Sequence, residues 1–178
     1  VLSSGNIKSV DCDEYCFRVL NNIYDFDIEN AVQMFAKNRI EIPENGFDTS
    51  DFGNYDDAYS VMNAAFGEED APSADLWKLK MVRGVLKGQT TLYTLNEDDR
   101  TVSCACIRGR TENAGAITSV VTLPEYRHRG YASHLTALCS NKLIDEHRIP
   151  WLVPANPGVQ KMYEKLGFTA AKNYYCLY

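Results

Sequence analysis

The stretch Val120-Val121-Thr122-Leu123-Pro124-Glu125-Tyr126-Arg127-His128-Arg129-Gly130-Tyr131-Ala132-Ser133 constrains this chain more than any other. A β-branched strand runs into a proline turn, then into a basic loop with one glycine, and then a helical pattern begins. Such a join presents backbone N–H groups at the start of a helix, where the macrodipole also favours negative charge. Phosphate oxygens suit that position. Gly130 lets the backbone approach a ligand closely, because no Cβ stands in the way. The loop is therefore expected to hold the pyrophosphate of a cofactor.

The elements around the loop follow from periodicity and punctuation. Upstream, Ile28 to Ile40 is predicted to be helical, with Asp27 as N-cap and Ile28, Val32 and Phe35 or Ala36 on one face. Cys12 to Ile23 fits either a helix or a strand. Pro43-Glu44-Asn45-Gly46 is a turn signal and is taken as a boundary. It divides an N-terminal extension, residues 1–45 and helical in part, from a main domain over residues 46–178. In the main domain, Phe47 to Asp51 is predicted as a short strand. Asn54 to Phe66 reads as a helix with Ala58, Val61, Met62 and Ala65 in its apolar stripe. Gly67 stops it, and the acidic link Glu68-Glu69-Asp70 follows. A second helix starts at Ser73 or Asp75, carries Leu76, Leu79 and Val82 towards Leu86, and closes at Gly88.

Beyond Gly88 the period changes. Thr90 to Leu95 and Thr101 to Ile107 are predicted strands joined by a turn at Asn96-Glu97-Asp98-Asp99. Ala114 to Leu123 is a third strand. A helix runs from about Arg129 to His147 with Leu135, Leu138, Cys139 and Leu143 inward. Trp151 to Val153 is a short strand. Asn156 caps a further helix with Pro157 in its first turn, and Val159, Met162, Tyr163 and Leu166 on its apolar face. Gly167 ends that helix, and Lys172 to Tyr178 is a last strand. The order predicts a mixed α/β (α+β) fold, a sheet with helices packed on it. Three consecutive strands without intervening helices exclude a doubly wound Rossmann series.

Charge and cysteine usage narrow the function. A formal net charge of −6 argues against general nucleic-acid binding and weakly favours a cationic partner. No apolar run is long enough to span a membrane. The six cysteines include no Cys-x-x-Cys pair, and the three histidines have no zinc-site spacing, so no metal is expected. Cys104 and Cys106, two apart on a strand, read as packing residues, as do Cys139 and Cys176. Cys12 and Cys16, four apart, would share a helix face. The default setting is cytoplasmic and reducing. A nucleotide-binding α/β domain is disfavoured, since neither Gly-x-x-x-x-Gly-Lys-Ser/Thr nor Gly-x-Gly-x-x-Gly follows a strand.

Arg127-x-x-Gly130-x-Ala132 alone is a weak signal. It gains specificity from its neighbours, and the stretch Ala114 to Phe168 resembles the acyl-CoA-binding core of the GNAT superfamily, the Gcn5-related N-acetyltransferases. Leu123 to Ala132 is similar to that family's pyrophosphate-loop motif. Asn156-Pro157-Gly158-Val159-Gln160-Lys161-Met162-Tyr163-Glu164-Lys165-Leu166-Gly167-Phe168 is similar to its second core motif. The resemblance implies a central, mostly antiparallel mixed sheet flanked by helices. It also implies acetyl-CoA (coenzyme A) as cofactor and transfer of its acetyl group to a primary amine of a small-molecule or peptide acceptor. Backbone groups of Val120, Val121 and Thr122 would contact the pantetheine and thioester. The amides of His128, Arg129, Gly130, Tyr131, Ala132 and Ser133 would hold the pyrophosphate. Asn156 matches the family's helix-capping, cofactor-contacting Asn, and Tyr163 its general acid. No nucleic-acid or membrane partner is implied, and a homodimer is left open.

The chemistry makes these roles reasonable. An oxyanion develops when an amine attacks a thioester, and a backbone N–H near the carbonyl stabilises it. The departing thiolate needs a proton, and a tyrosine, with an ordinary pKa of about 10, is protonated at neutral pH and able to donate. The bland alternative for Tyr163 is an aromatic on an apolar helix face. No general base is assigned. Ile117 to Leu123 and Trp151 to Val153 contain no carboxylate, Glu125 and Glu112 lie outside the strands, and His128 and His134 read better as loop and helix-surface residues. Arg127 and Arg129 suit charge-assisted bonds to phosphate, with loop solvation as the alternative. Glu68-Glu69-Asp70 either attracts a cationic acceptor or is a solvated charge run. The missing strand carboxylate keeps a second class in view, a non-catalytic acyl-CoA-binding or regulatory module.

Overall fold

The computed structural model describes residues 10–13, 28–42, 46–51, 54–66 and 73–177. The chain forms two compact units, Val1–Phe35 with Val153–Tyr178, and Ala36–Leu152.

The Ala36–Leu152 unit carries five strands and three helices among its described residues. Its strands are β3 (Asp48–Ser50), β4 (Thr91–Glu97), β5 (Arg100–Arg108), β6 (Ala114–Thr122) and β7 (Ile149–Leu152), and its helices α1 (Tyr55–Phe66), α2 (Ala74–Leu86) and α3 (Tyr131–Asp145). The strands lie in the order β7-β6-β5-β4-β3. All neighbours are antiparallel except β6 and β7, which run parallel. β4 and β5 form a hairpin closed by Asp98 and Asp99, with φ of 50° and 59°. Two consecutive left-handed residues match the right-handed twist of the flanking strands. The turn is thus narrower than the sequence signal, and Glu97 belongs to β4.

β5 is buried from Thr101 to Ile107 because α1 and α3 both pack on it. One core cluster joins Ala58, Val61 and Met62 of α1 to Trp77 and Met81 of α2, and to Leu92, Cys104, Cys106, Val121 and Leu123. The packing role expected of Cys104 and Cys106 is the one observed. The apolar residues that mark α2 in the sequence, Leu76, Leu79, Val82 and Leu86, stand exposed instead, and Trp77 and Met81 provide its buried contacts. α3 buries Leu135, Cys139 and Leu143 at the helical spacing predicted, while Leu138 is only half-buried. The helix lies close on β6: a Cβ at Gly115 would meet Leu143 Cδ2 at 2.3 Å. Asn141 of α3 also holds an irregular segment, accepting from Ile40 N–H and donating to Ile40 C=O, both at 2.8 Å.

The other unit contains β1 (Val10–Asp13), β2 (Ile28–Phe35), α4 (Pro157–Lys165) and β8 (Thr169–Leu177). The strands run in the order β1-β8-β2, with both pairings antiparallel. Here a sequence expectation fails. The predicted helix over Ile28 to Ile40 is instead strand β2 as far as Phe35 and irregular beyond it; β2 pairs with β8 from Ile28↔Leu177 to Phe35↔Thr169, with a register shift between Gln33 and Met34. Ile28, Val32 and Phe35 fit a helical period, but Val32, Met34 and Ala36 also fit a period of two. Met34 and Ala36 are the buried pair, at 0% and 1% exposure. Pairing with a distant strand supplied the partner that local spacing does not encode. β8 likewise begins at Thr169, earlier than predicted. The proposed N-cap Asp27, Cys16, Pro43 to Asn45, and the acidic link Glu68-Glu69-Asp70 lie outside the described residues.

Candidate active site

In the Ala36–Leu152 unit, the site is built from the end of β6 and the start of α3. β6 is interrupted by a bulge. Cys104 faces Val121 and Cys106 faces Thr118, so Ser119 and Val120 together oppose Ala105. Ser119 takes the left-handed conformation, with φ 51°. A bulge disrupts the ladder locally and leaves an extra residue unpaired. On its other side, β6 is in register with β7 only over Ala114–Ala116 against Ile149–Trp151, the first three residues of a nine-residue strand. Val120 therefore lies in the bulge itself, with Val121 and Thr122 just beyond it, and all three lie past the parallel register with β7. Beyond the bulge the ladder resumes: Ser103 Oγ donates to Val121 C=O at 2.7 Å and lies 2.9 Å from Thr122 Oγ1. Sequence reading missed the bulge, for which a serine inside a β-branched run was the only hint.

The loop follows from two local rules. Pro124 opens a single 3₁₀ turn, Pro124–Tyr126, in which Tyr126 N–H bonds Leu123 C=O at 2.9 Å. His128 and Gly130 then adopt left-handed conformations, with φ of 64° and 89°. The first helical bond of α3 is His134 N–H to Gly130 C=O, 2.9 Å. The N–H groups of Tyr131, Ala132 and Ser133 thus precede the helical ladder, and Gly130, the N-cap, offers no side chain to take one. Arg127 to Gly130 are exposed. Uncapped donors at a helix start beside an open, glycine-bearing loop are a donor set that fits a diphosphate.

The basic side chains are engaged within the protein. Arg127 Nε donates to Thr122 C=O at 3.2 Å, bracing the strand end. Arg129 Nη1 bonds both oxygens of Glu97, at 2.8 and 3.1 Å, and its guanidinium lies 5.0 Å from the Tyr126 ring centre. The Tyr131 hydroxyl donates to the same carboxylate. That bond holds the Tyr131 phenol above its usual range, and Tyr131 and Glu97 together raise Arg129. The Phe47 ring stands nearly perpendicular to those of Tyr131 and His134, with ring centres 5.0 and 5.1 Å away. Burial lowers the His134 pKa from its ordinary value. Glu125 pairs with Arg100 at 3.4 Å, in keeping with a turn residue.

The two remaining sequence candidates sit together on α4, in the other unit. Asn156 is the N-cap expected: its Oδ1 accepts from Val159 N–H at 3.0 Å, and Pro157 fills the first turn. Tyr163 is 4% exposed, and its ring centre lies 5.8 Å from that of Phe168. Leu166-Gly167-Phe168 closes the helix, with Phe168 N–H bonding Tyr163 C=O at 3.0 Å. Among the described residues, no group of His, Cys, Asp and Glu is arranged to hold a metal ion. No described helix is long and apolar enough to cross a membrane.

Known proteins share this architecture. A GCN5-related N-acetyltransferase from Kribbella flavida superposes with a TM-score of 0.70 at 14% identity, over 95% of this chain and 66% of that one. A GNAT-family acetyltransferase from Colwellia psychrerythraea gives 0.70 at 13% identity, over 95% and 63%. A predicted acetyltransferase from Clostridium acetobutylicum, whose structure includes acetyl-CoA, gives 0.57 at 16%, over 71% and 90%. At these identities the likeness is one of fold. The chain spans about two thirds of the length of the first two. No curated protein matches it significantly. Residues 55–168, more than half of the chain, match the family model described as Acetyltransferase (GNAT) family. The chain belongs to the GNAT acetyltransferase family, whose members transfer acyl groups from acetyl-CoA.

Proposed function

We propose that this chain is an N-acetyltransferase that moves the acetyl group of acetyl-CoA to a primary amine of a small-molecule or peptide acceptor by direct attack on the thioester. The observation that carries the reading is the uncapped start of α3 behind Gly130, in a loop within the residues that the family model matches. Residues 46–178 form the acyltransferase domain of this reading, with residues 1–45 as an extension. A cytoplasmic setting belongs to it too, and the free, buried thiols of Cys104, Cys106 and Cys139 are compatible with that.

Bound acetyl-CoA supplies an acyl group activated as a thioester. The amides of His128, Arg129, Gly130, Tyr131, Ala132 and Ser133 bind its pyrophosphate by hydrogen bonds and by the helix dipole. Val120, Val121 and Thr122 offer backbone groups to the pantetheine, and an N–H among them stabilises negative charge on the carbonyl oxygen. Asn156 keeps amide donors for the cofactor while its Oδ1 caps α4. Tyr163 donates the proton that the departing sulfur needs. No side chain is assigned to take the proton of the amine.

A thiol-release assay over a panel of amines tests the reading, with Tyr163→Phe beside the unaltered chain. We expect turnover with at least one amine and a fall in kcat of roughly 100-fold in the variant. Unchanged turnover would remove Tyr163 from the mechanism. One observation favours a second reading, an acyl-CoA-binding module without turnover: neither β6 nor β7 carries a carboxylate. CoA binding with no thiol release across the panel would select it.

A further inference from the structure

Glu97 closes β4 and reaches across to the start of α3. Both oxygens of its carboxylate lie within bonding reach of one Arg129 nitrogen, Nη1, and one of them also accepts from the Tyr131 hydroxyl. Arg129 lies directly before Gly130 and Tyr131 directly after it. One carboxylate therefore grips both residues flanking the left-handed glycine. Around it, Tyr126 lies under the Arg129 guanidinium at 5.0 Å, and Phe47 packs edge-on against the Tyr131 ring. Arg129 Nη2 also approaches Glu125 C=O at 3.5 Å.

A carboxylate beside a proposed anion site works against ligand binding by simple charge. It is explicable if it organises the donors instead. Among the described residues, no atom lies within 4 Å of the Cβ position of this glycine, at φ 89°, so that side of the loop is open. A loop that must be ordered on binding loses affinity, and one ordered beforehand keeps it. From this we infer that Glu97 is a positioning residue for the cofactor loop. By fixing Arg129 and Tyr131 it holds the backbone donors on either side of Gly130 in one arrangement. The inference rests on the acyl-CoA reading proposed above.

The test measures equilibrium CoA binding, together with KM for acetyl-CoA and kcat, for the full chain and for Glu97→Ala, Glu97→Gln and Tyr131→Phe. Glu97→Ala is expected to weaken CoA binding about tenfold and raise KM in step, with kcat within about twofold. Glu97→Gln keeps an acceptor oxygen and should recover most of the loss. Tyr131→Phe removes one of the bonds and should weaken binding about threefold. A merely structural role would lower thermal stability and leave CoA affinity alone, which would overturn the inference. Tighter CoA binding by Glu97→Ala would also overturn it, since the carboxylate would then be competing with phosphate. A Gln variant as weak as the Ala variant would rule out the hydrogen-bonding role. If the unaltered chain binds no CoA, the acyl-CoA reading falls, and this inference with it.

Discussion

The two ends of α3 carry the same kinds of charge and use them differently. At the N-terminal end, Arg129 pairs with Glu97 while keeping 47% of its side chain exposed, and the helix start has no side-chain cap. At the C-terminal end, Arg110 is 7% exposed and lies against Glu146, with Nε at 2.9 Å and Nη2 at 3.3 Å. Thr91 Oγ1 takes a further Arg110 bond at 2.7 Å, and Arg148 adds a second cation to Glu146 at 2.8 Å. The N–H groups of Glu146, His147 and Arg148 bond the carbonyls of Lys142, Leu143 and Ile144 there. One end pairs most of its polar groups within the protein, with Arg110 Nη1 buried and without a hydrogen-bond partner. The other keeps backbone donors open to a ligand. The comparison teaches that a charge pair near a helix end is informative only with its burial: a buried pair must be retained whole, whereas an exposed one contributes little to stability and is open to a functional use.

Breaking the buried end should have the larger effect. Glu146→Ala strands the Arg110 guanidinium, and unfolding free energy should fall by about 2–3 kcal/mol, less than for a fully dry pair because Glu146 keeps 22% exposure. Chemical denaturation would measure it, and KM for acetyl-CoA should not move. A change in KM with stability intact would break the contrast. At the open end, Gly130→Ala forces a Cβ into φ 89°, which should cost about 1–2 kcal/mol. Here KM should rise several-fold, because the same strain shifts the donors on both sides. If stability falls and KM does not, the loop is not the cofactor's.

The smallest effect concerns acid. Burial alone would raise the Glu146 pKa, but the Arg110 bond and the charges of Arg110, Arg148 and Lys142 outweigh it and hold the carboxyl below 4.5. A depressed folded pKa means stability that is present above about pH 4.5 and lost as pH falls through the folded value. Thermal melts from pH 6 downward should therefore drop less steeply in Glu146→Gln than in the unaltered chain. Equal slopes would show that the cluster does not govern acid stability.

Much of the site was legible in the sequence because its rules are local. Pro124, Gly130 and the apolar spacing of Leu135, Cys139 and Leu143 specify a turn, a left-handed joint and a helix within a few residues of one another. Asn156-Pro157 specified the start of α4 in the same way. What escaped depended on partners far along the chain. Glu97 reads as part of an acidic turn until β4 and α3 bring Arg129 and Tyr131 to it. Ser119 reads as an ordinary strand residue until β5 opposes it one residue short. Ile28 to Phe35 reads as a helix until β8 supplies its register.

Residues close together in the chain specify the strand–loop–helix join, the element order from Phe47 onward and the family resemblance, since turn chemistry, capping and periodicity act through neighbours a few bonds away. Long-range pairing made β2 a strand, gave β6 its bulge at Ser119 and Val120, and brought Glu97 to both flanks of Gly130. Those outcomes depend on pairing between segments distant in the chain, and pairing energy is set by the partner as much as by the residue.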